Sequence, residues 1–315
     1  MFWDNVFFGM LGGGLGMMLT LMGIKMDTEA LKQTVIRSKC KIANIWCLHY
    51  VAAPLCAVGT SKLLNLDSPR ALALYLVSIT PPTVAASVVT FAVGGNVELA
   101  TASSIITLMT SFVSMPLIFS WMIEVSLKTS EVKSIEVPYI QMCGILLFFV
   151  LCKGGGVLIQ KKVGETRRLC ITKGLKYSAI TTMIGAIFVY FIKCGTLVKA
   201  TFYGGRSWGK HYMGCVVFMF LYTLCCAAVS WRDVQDRDAI IITGLRKNPG
   251  ITLSVAAMSL SRLEEDEYTT AMGMLLAYGM ILDWCGIPVI ISLRRLRKGY
   301  YCWKKKEEVI EDGRV

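Results

Sequence analysis

The chain has 315 residues, of which 55% are hydrophobic and 17% charged, and its mean hydropathy is +0.57. A soluble domain carries about 25% charged residues, so this composition excludes an ordinary soluble globule and makes the bilayer the solvent. The net charge of +12 comes from 33 Lys and Arg gathered mostly in short clusters; it describes loops and a tail and makes no case for a nucleic-acid partner.

Windows of about 20 apolar residues are the unit of a helical span. Nine occur, at about 5–25, 42–62, 70–95, 96–124, 138–160, 174–198, 211–230, 237–261 and 268–293. The expected fold is therefore all-α: a polytopic membrane protein of nine transmembrane helices. The first window opens on Met1-Phe2-Trp3-Asp4, with no basic n-region and no A-x-A site, so it is expected to stay in place as a helix. Its Gly12, Gly13, Gly14 and Gly16, and Gly154, Gly155 and Gly156 of the fifth window, allow close helix contact or hinging, with close packing the simpler reading. The second window carries His49, either a hydrogen-bonded core residue or a group for proton coupling.

The third window is broken near its middle by Thr80-Pro81-Pro82-Thr83, and the eighth by Thr243-Gly244-Leu245-Arg246-Lys247-Asn248-Pro249-Gly250. Unpaired backbone groups are not tolerated in hydrocarbon, so a helix that unwinds there is buried in protein or lines a polar cavity. Two such breaks in corresponding places of two halves point to a substrate site at the midplane of a secondary transporter. The third and fourth windows join through Gly94-Gly95-Asn96, a tight turn; the eighth and ninth join through the acidic run Ser261 to Glu267. Of the carboxylates, Asp283 and Glu124 are candidate partners for a buried cation, and Glu98 reads as a charge at a helix N-terminus. Lys153 and Lys193 are expected to snorkel from span ends. The twelve cysteines lack C-x-x-C spacing and read as packing residues. No nucleophile–base set, phosphate loop or metal-ligand spacing occurs, so neither an enzyme nor a cofactor is expected.

Basic residues in short loops set orientation. Lys25, Lys32, Arg37, Lys39 and Lys41 lie in loop 25–41, and Lys161, Lys162, Arg167, Arg168 and Lys173 in loop 161–173. The tail holds Arg294, Arg295, Arg297, Lys298, Lys304, Lys305 and Lys306 beside Tyr300, Tyr301 and Trp303. With nine spans all three clusters fall on one side, which places the N-terminus outside, the C-terminus in the cytosol and the tail at the anionic lipid surface. The plasma membrane is the expected location. Both halves end in interrupted helix, turn and long helix. An inverted repeat follows, with a first repeat over 1–135 lacking its first helix, a second over 136–294, and a basic tail over 295–315.

Pro81-Pro82-Thr83-Val84-Ala85-Ala86-Ser87-Val88-Val89-Thr90 and Gly94-Gly95-Asn96-Val97-Glu98-Leu99-Ala100 resemble the bile acid:sodium symporter family, which reads P-G-G-x-x-S-N-V-x-[ST] and then [KR]-G-[ND]-x-x-L-S. Ser61 to Leu66, Val137-Pro138-Tyr139 and Asn248-Pro249-Gly250-Ile251 add to the resemblance. It implies a panel domain and a core domain, two broken helices crossing in the core with two sodium ions beside them, and an organic anion in the cavity between the domains, moved by alternating access. Candidate substrate contacts are then Thr83, Ser87 and Thr90 from the first break and Arg246, Lys247 and Asn248 from the second.

The sodium positions depart from the family. Its Ser-Asn pair and following hydroxyl correspond to Ala86, Ser87 and Ser104, and a glutamine on the second span to His49. Its E-x-G-x-Q-N acid corresponds to Ile242 in one register, with Arg246 at the glutamine, or to Thr243 in the other, with Lys247 at the glutamine. Neither register supplies a carboxylate. Hard cations need several oxygen ligands, and a cation 4 Å from another costs about 4 kcal/mol at an effective dielectric near 20. Both sodium sites are therefore expected to be lost. Arg246 or Lys247 is expected either to act as a tethered cation that attracts the anion, or to snorkel or pair with a carboxylate. Three functional expectations follow: an organic-anion carrier with altered coupling, a sodium-independent or proton-linked carrier, and a transport-inactive receptor or scaffold.

Overall fold

The structure is a computed structural model; it describes residues 2–126 except 27 and 84, 139–178, 181–182, 185, 206–229, 233–260 and, in part, 263–281. Among these residues the fold is helical throughout, with one isolated β-bridge and no strand. In chain order the helices are α1 (Phe2–Lys25), α2 (Thr28–Arg37), α3 (Lys39–Cys47), a π turn (Leu48–Ala52), α4 (Ala53–Leu63), α5 (Ser68–Ile79), α6 (Ala85–Val93), α7 (Val97–Ser126), α8 (Tyr139–Lys162), α9 (residues 165–178), α10 (Arg206–Val229), α11 (Val234–Leu245) and α12 (Pro249–Ser259).

Among the described residues four helical stretches are long and apolar enough to cross a membrane: Lys39–Leu63, Val97–Ser126, Met142–Lys162 and Tyr212–Val229. Their outer faces carry exposed Leu55, Leu117, Leu151 and Phe220, which suits lipid and not water. By contrast every residue of α5 from Pro69 to Ile79 is buried, so α5 runs through the protein interior. Proline shapes two of the spans. Pro54 follows the π turn that carries His49 and Tyr50, where a missing N–H and the ring's clash with the carbonyl four residues earlier favour a widened turn. Inside α7, Pro116 leaves the Phe112 carbonyl without its helical donor, and the Cys143 thiol of α8 donates to that oxygen at 3.1 Å.

The basic stretch 25–41 is helical and not an open loop, because α2 fills it and α3 begins at Lys39. Lys41 is held by the carboxylate of buried Asp236, and the Thr34 hydroxyl donates to Glu98 in the first turn of α7 at 3.2 Å. The Gly94-Gly95-Asn96 turn forms as expected. Gly94 takes φ 77°, the Asn96 side-chain oxygen accepts from Leu99 N at 3.0 Å, and its amide donates to Asp236 at 2.9 Å. Gly95 is required for close approach, since a Cβ there would sit 2.9 Å from the Thr90 methyl and 3.3 Å from Asp238 Cβ.

α1 packs along α8 through glycines. A Cβ on Gly156 would fall on the Thr20 carbonyl, and one on Gly23 on the Lys153 carbonyl. Gly16 meets Cys152 and Phe148 at 3.1 Å, whereas Gly12, Gly13, Gly154 and Gly155 face nothing within 4 Å. Only part of each glycine run is thus used for close packing, and Gly23, outside both runs, belongs to the contact. Lys153 corrects a second expectation. It is 7% exposed in the body of α8 and does not snorkel, because the α1 contact covers it. Cys215 and Cys226 are fully buried packing groups, and the nine described cysteines are free thiols. Lys193, Asp283 and the tail 295–315 lie outside the described residues, as do most of the sixth and ninth windows.

Candidate functional site at the crossing of two broken helices

The two breaks meet. Pro82 and Lys247 form an antiparallel bridge, with Thr83 N donating to Arg246 O at 2.7 Å and Asn248 N to Pro81 O at 3.0 Å. Unwinding leaves the last carbonyls of a helix without donors, and Pro81 and Pro82 contribute no N–H to the repair. Several are satisfied by other donors. In α5, Tyr75 O accepts from the Ser78 hydroxyl at 2.7 Å, Leu76 O from the Thr80 hydroxyl at 2.7 Å, and Val77 O from Thr80 N at 3.2 Å. Ser78 O accepts from Lys247 Nζ at 2.8 Å, and Thr80 O from His49 Nε2 at 2.7 Å. Across the crossing, Leu245 O accepts from the Tyr278 hydroxyl at 2.9 Å.

Lys247 is 1% exposed and His49 is fully buried. A carbonyl only accepts, so His49 Nε2 carries the hydrogen that it gives to Thr80 O. Nδ1 is then the acceptor, and Lys247 Nζ donates to it at 3.0 Å. The ammonium has three hydrogens: one goes to Ser78 O, one to His49, and the remaining face lies over the Tyr222 ring, 5.1 Å from its centroid. The positive charge thus sits against the C-terminal end of α5, where the helix dipole is negative. Among the described residues no carboxylate forms an ion pair with Lys247. Glu124, one of its two candidate partners, is exposed on α7.

The remaining site candidates are dispersed. Ile242 packs against Ala86 and Val93 of α6, with Val89 beside them, so two of the expected sodium positions close onto each other as an apolar contact. Thr243 is buried beside Ile242, and its hydroxyl makes no hydrogen bond among the described residues. Ser87 accepts from Thr101 at 3.0 Å, while Thr90 and Ser104 return their hydroxyls to Ala86 O and Ala100 O of their own helices, both at 2.8 Å. Thr83 and Arg246 are half-buried and meet through the backbone. Asn248 is the N-cap of α12, its side-chain oxygen accepting from Gly250 N at 3.1 Å and Ile251 N at 3.2 Å. Those donors are therefore engaged by the protein itself. Asn248→Ala is expected to cost about 1 kcal/mol and to lower the unfolding midpoint of the purified protein, with Asn248→Asp restoring it. An unchanged midpoint for the alanine variant would remove the cap from the account.

Sequence reasoning missed Ser78, Tyr222 and Tyr278. Ser78 acts through its carbonyl, which any residue has, and the two tyrosines belong to other helices. Position within the break was the available signal for Ser78, three residues before Pro81.

A fully buried, mostly apolar α5, lipid-suited outer helix faces and two unwound segments joined inside the protein define an integral, multi-pass helical membrane protein. The family model for the sodium bile acid symporter family matches residues 13–201, more than half of the chain and inclusive of the first break. The chain belongs to the sodium bile acid symporter family, a transporter family and not an enzyme class. It is also similar to a rice (Oryza sativa subsp. japonica) protein named probable sodium/metabolite cotransporter BASS1, chloroplastic, with 36% identity over 86 residues. That stretch is 27% of this chain and 21% of the rice protein's length.

Proposed function

We propose that the protein is a secondary transporter of a small organic anion, of the bile salt, steroid sulfate or small carboxylate type, in which Lys247 stands where the family uses sodium. The observation that carries this reading is the seat of Lys247 Nζ, on the Ser78 carbonyl and His49 at the bridge between the two breaks. An alternating-access carrier needs a charge there to hold the electronegative end of α5 and to attract an anion. A covalently attached ammonium does both, and the apolar Ala86–Ile242 contact leaves few oxygens for a competing cation. Nine spans in an inverted repeat, N-terminus outside and C-terminus in the cytosol of the plasma membrane, complete the reading. Its support is the order of basic clusters along the chain and the pairing of the breaks.

The test is uptake of labelled taurocholate, a steroid sulfate and pyruvate into vesicles holding the full chain, with sodium replaced by potassium or choline. Rates are expected to agree within about twofold across the three cations, since neither Ile242 nor Thr243 supplies a carboxylate to a hard cation. A steep sodium dependence would overturn the substitution of lysine for sodium. Absence of flux for every anion, in protein that stays folded, would favour a receptor or scaffold role.

A further inference from the structure

A sodium ion can leave its site once the carrier opens, but a lysine cannot. The only part of its charge that can depart is a proton, and the crossing is built with a place to hand it on. His49 Nε2 is committed to Thr80 O at 2.7 Å, so its hydrogen stays on that nitrogen. Nδ1 faces Lys247 Nζ at 3.0 Å as an unprotonated acceptor. The two groups therefore share one proton between Nζ and Nδ1, and their joint charge is either one or zero.

Among the described residues no carboxylate compensates that charge. The π turn adds Tyr50, whose ring stands edge-on to His49 and whose hydroxyl is given to Thr107 O at 2.7 Å. From α10 come Tyr222, under the ammonium, and Cys226, which lines Gly244. Cys225 of the same helix faces Cys56 of α4, with 3.7 Å between the sulfurs. Tyr278 is engaged with Leu245 O, α5 offers the Ser78 and Thr80 carbonyls, and α12 offers the Thr252 hydroxyl, 3.0 Å from that of Thr80. Arg246 precedes Lys247 in the chain and is half-buried. No carboxylate faces the pair among these groups.

We infer that the Lys247–His49 pair takes up and releases one proton in each cycle, so that the organic anion travels with a proton where the family uses sodium; the inference rests on the transport reading above. In the loaded state the ammonium and the anion cancel. In the returning state the proton has left for water on the far side, either from Nζ directly or through Nδ1, and the pair is neutral. One proton and one monovalent anion cross together, so no net charge moves.

The experiment uses the full chain in sodium-free vesicles containing a trapped pH-sensitive dye, with potassium and valinomycin clamping the voltage and protein-free vesicles subtracted. Taurocholate is the first probe and pyruvate the second. Adding the transported anion is expected to acidify the lumen, and an inward gradient of one pH unit to raise accumulation about tenfold. Lys247→Arg, whose charge does not titrate, is expected to flatten the pH profile whatever its absolute rate; His49→Gln is expected to shift it. Entry of anion without lumen acidification, and indifferent to the gradient, overturns proton coupling while leaving sodium-free transport standing. A pH profile unchanged in both folded variants overturns the assignment to this pair. No entry of either probe under any gradient removes the transport reading, and this inference with it.

Discussion

Lys247→Gln is expected to lower anion flux by up to about a hundredfold, because the charge that attracts the anion goes together with a charge-assisted hydrogen bond to His49 worth about 1.5–3 kcal/mol, and about 1.4 kcal/mol is a decade. Glutamine can still donate to Ser78 O, so the crossing is expected to survive while its charge is lost. Arg246→Gln serves as the comparison. Arg246 is half-buried and meets the first break through its carbonyl, which the substitution keeps. A change of less than about threefold is expected there, corresponding to about 0.6 kcal/mol. Flux and anion affinity in vesicles, with gel filtration to confirm folding, decide the matter. The loss for Lys247→Gln is expected to be larger for charged than for neutral ligands, since what is removed is mainly Coulombic attraction. Equal effects at both positions, or unchanged affinity in folded Lys247→Gln, would return Lys247 to a purely structural role.

The second large effect belongs to the contact between α1 and α8. Gly156→Ala places a methyl on the Thr20 carbonyl and within 2.9 Å of Gly23 Cα, where only backbone can give way. Overpacking of this kind costs about 1–3 kcal/mol or more, against a gain of about 1 kcal/mol from replacing a helical glycine by alanine. A fall of about 5 °C or more in the unfolding midpoint of the detergent-solubilised protein is expected. Gly155→Ala, one residue away and facing nothing within 4 Å, is expected to be neutral or slightly stabilising. If the two variants melt together, the helices are not in contact through Gly156.

Particular residues show how far the sequence could be read. The breaks at Thr80 to Thr83 and Thr243 to Gly250 were legible because proline and glycine inside an apolar run act locally, through a missing donor or an open φ. That the breaks join was expected from their matching places, and the Pro82–Lys247 bridge is the form the joint takes. His49 and Lys247 were each named from the family pattern as degenerate sodium positions, His49 also as a proton candidate and Lys247 as a tethered cation. Their hydrogen bond was not legible, since the two residues are far apart in the chain and approach only when three helices pack. The same holds for Lys153. Its place near the end of the apolar window suggested snorkelling, yet the α1 contact decides its burial.

The sequence by itself determined the solvent, the all-helical class, the places where helices break and the loss of a carboxylate from the expected sodium position. Each follows from composition or from chemistry within a few residues. Only the tertiary structure showed which of the adjacent cations Arg246 and Lys247 is buried in the crossing, since the sequence places both in the same break. A one-residue step on an unwound segment turns the side chain to another side, so Lys247 enters the crossing while Arg246 stays half-exposed. It also closed Ala86 on Ile242 and drew Ser78, Tyr222 and Tyr278 to the second break. Those contacts come from how helices distant in the chain cross, and crossing is set by which buried surfaces and orphaned carbonyls satisfy one another.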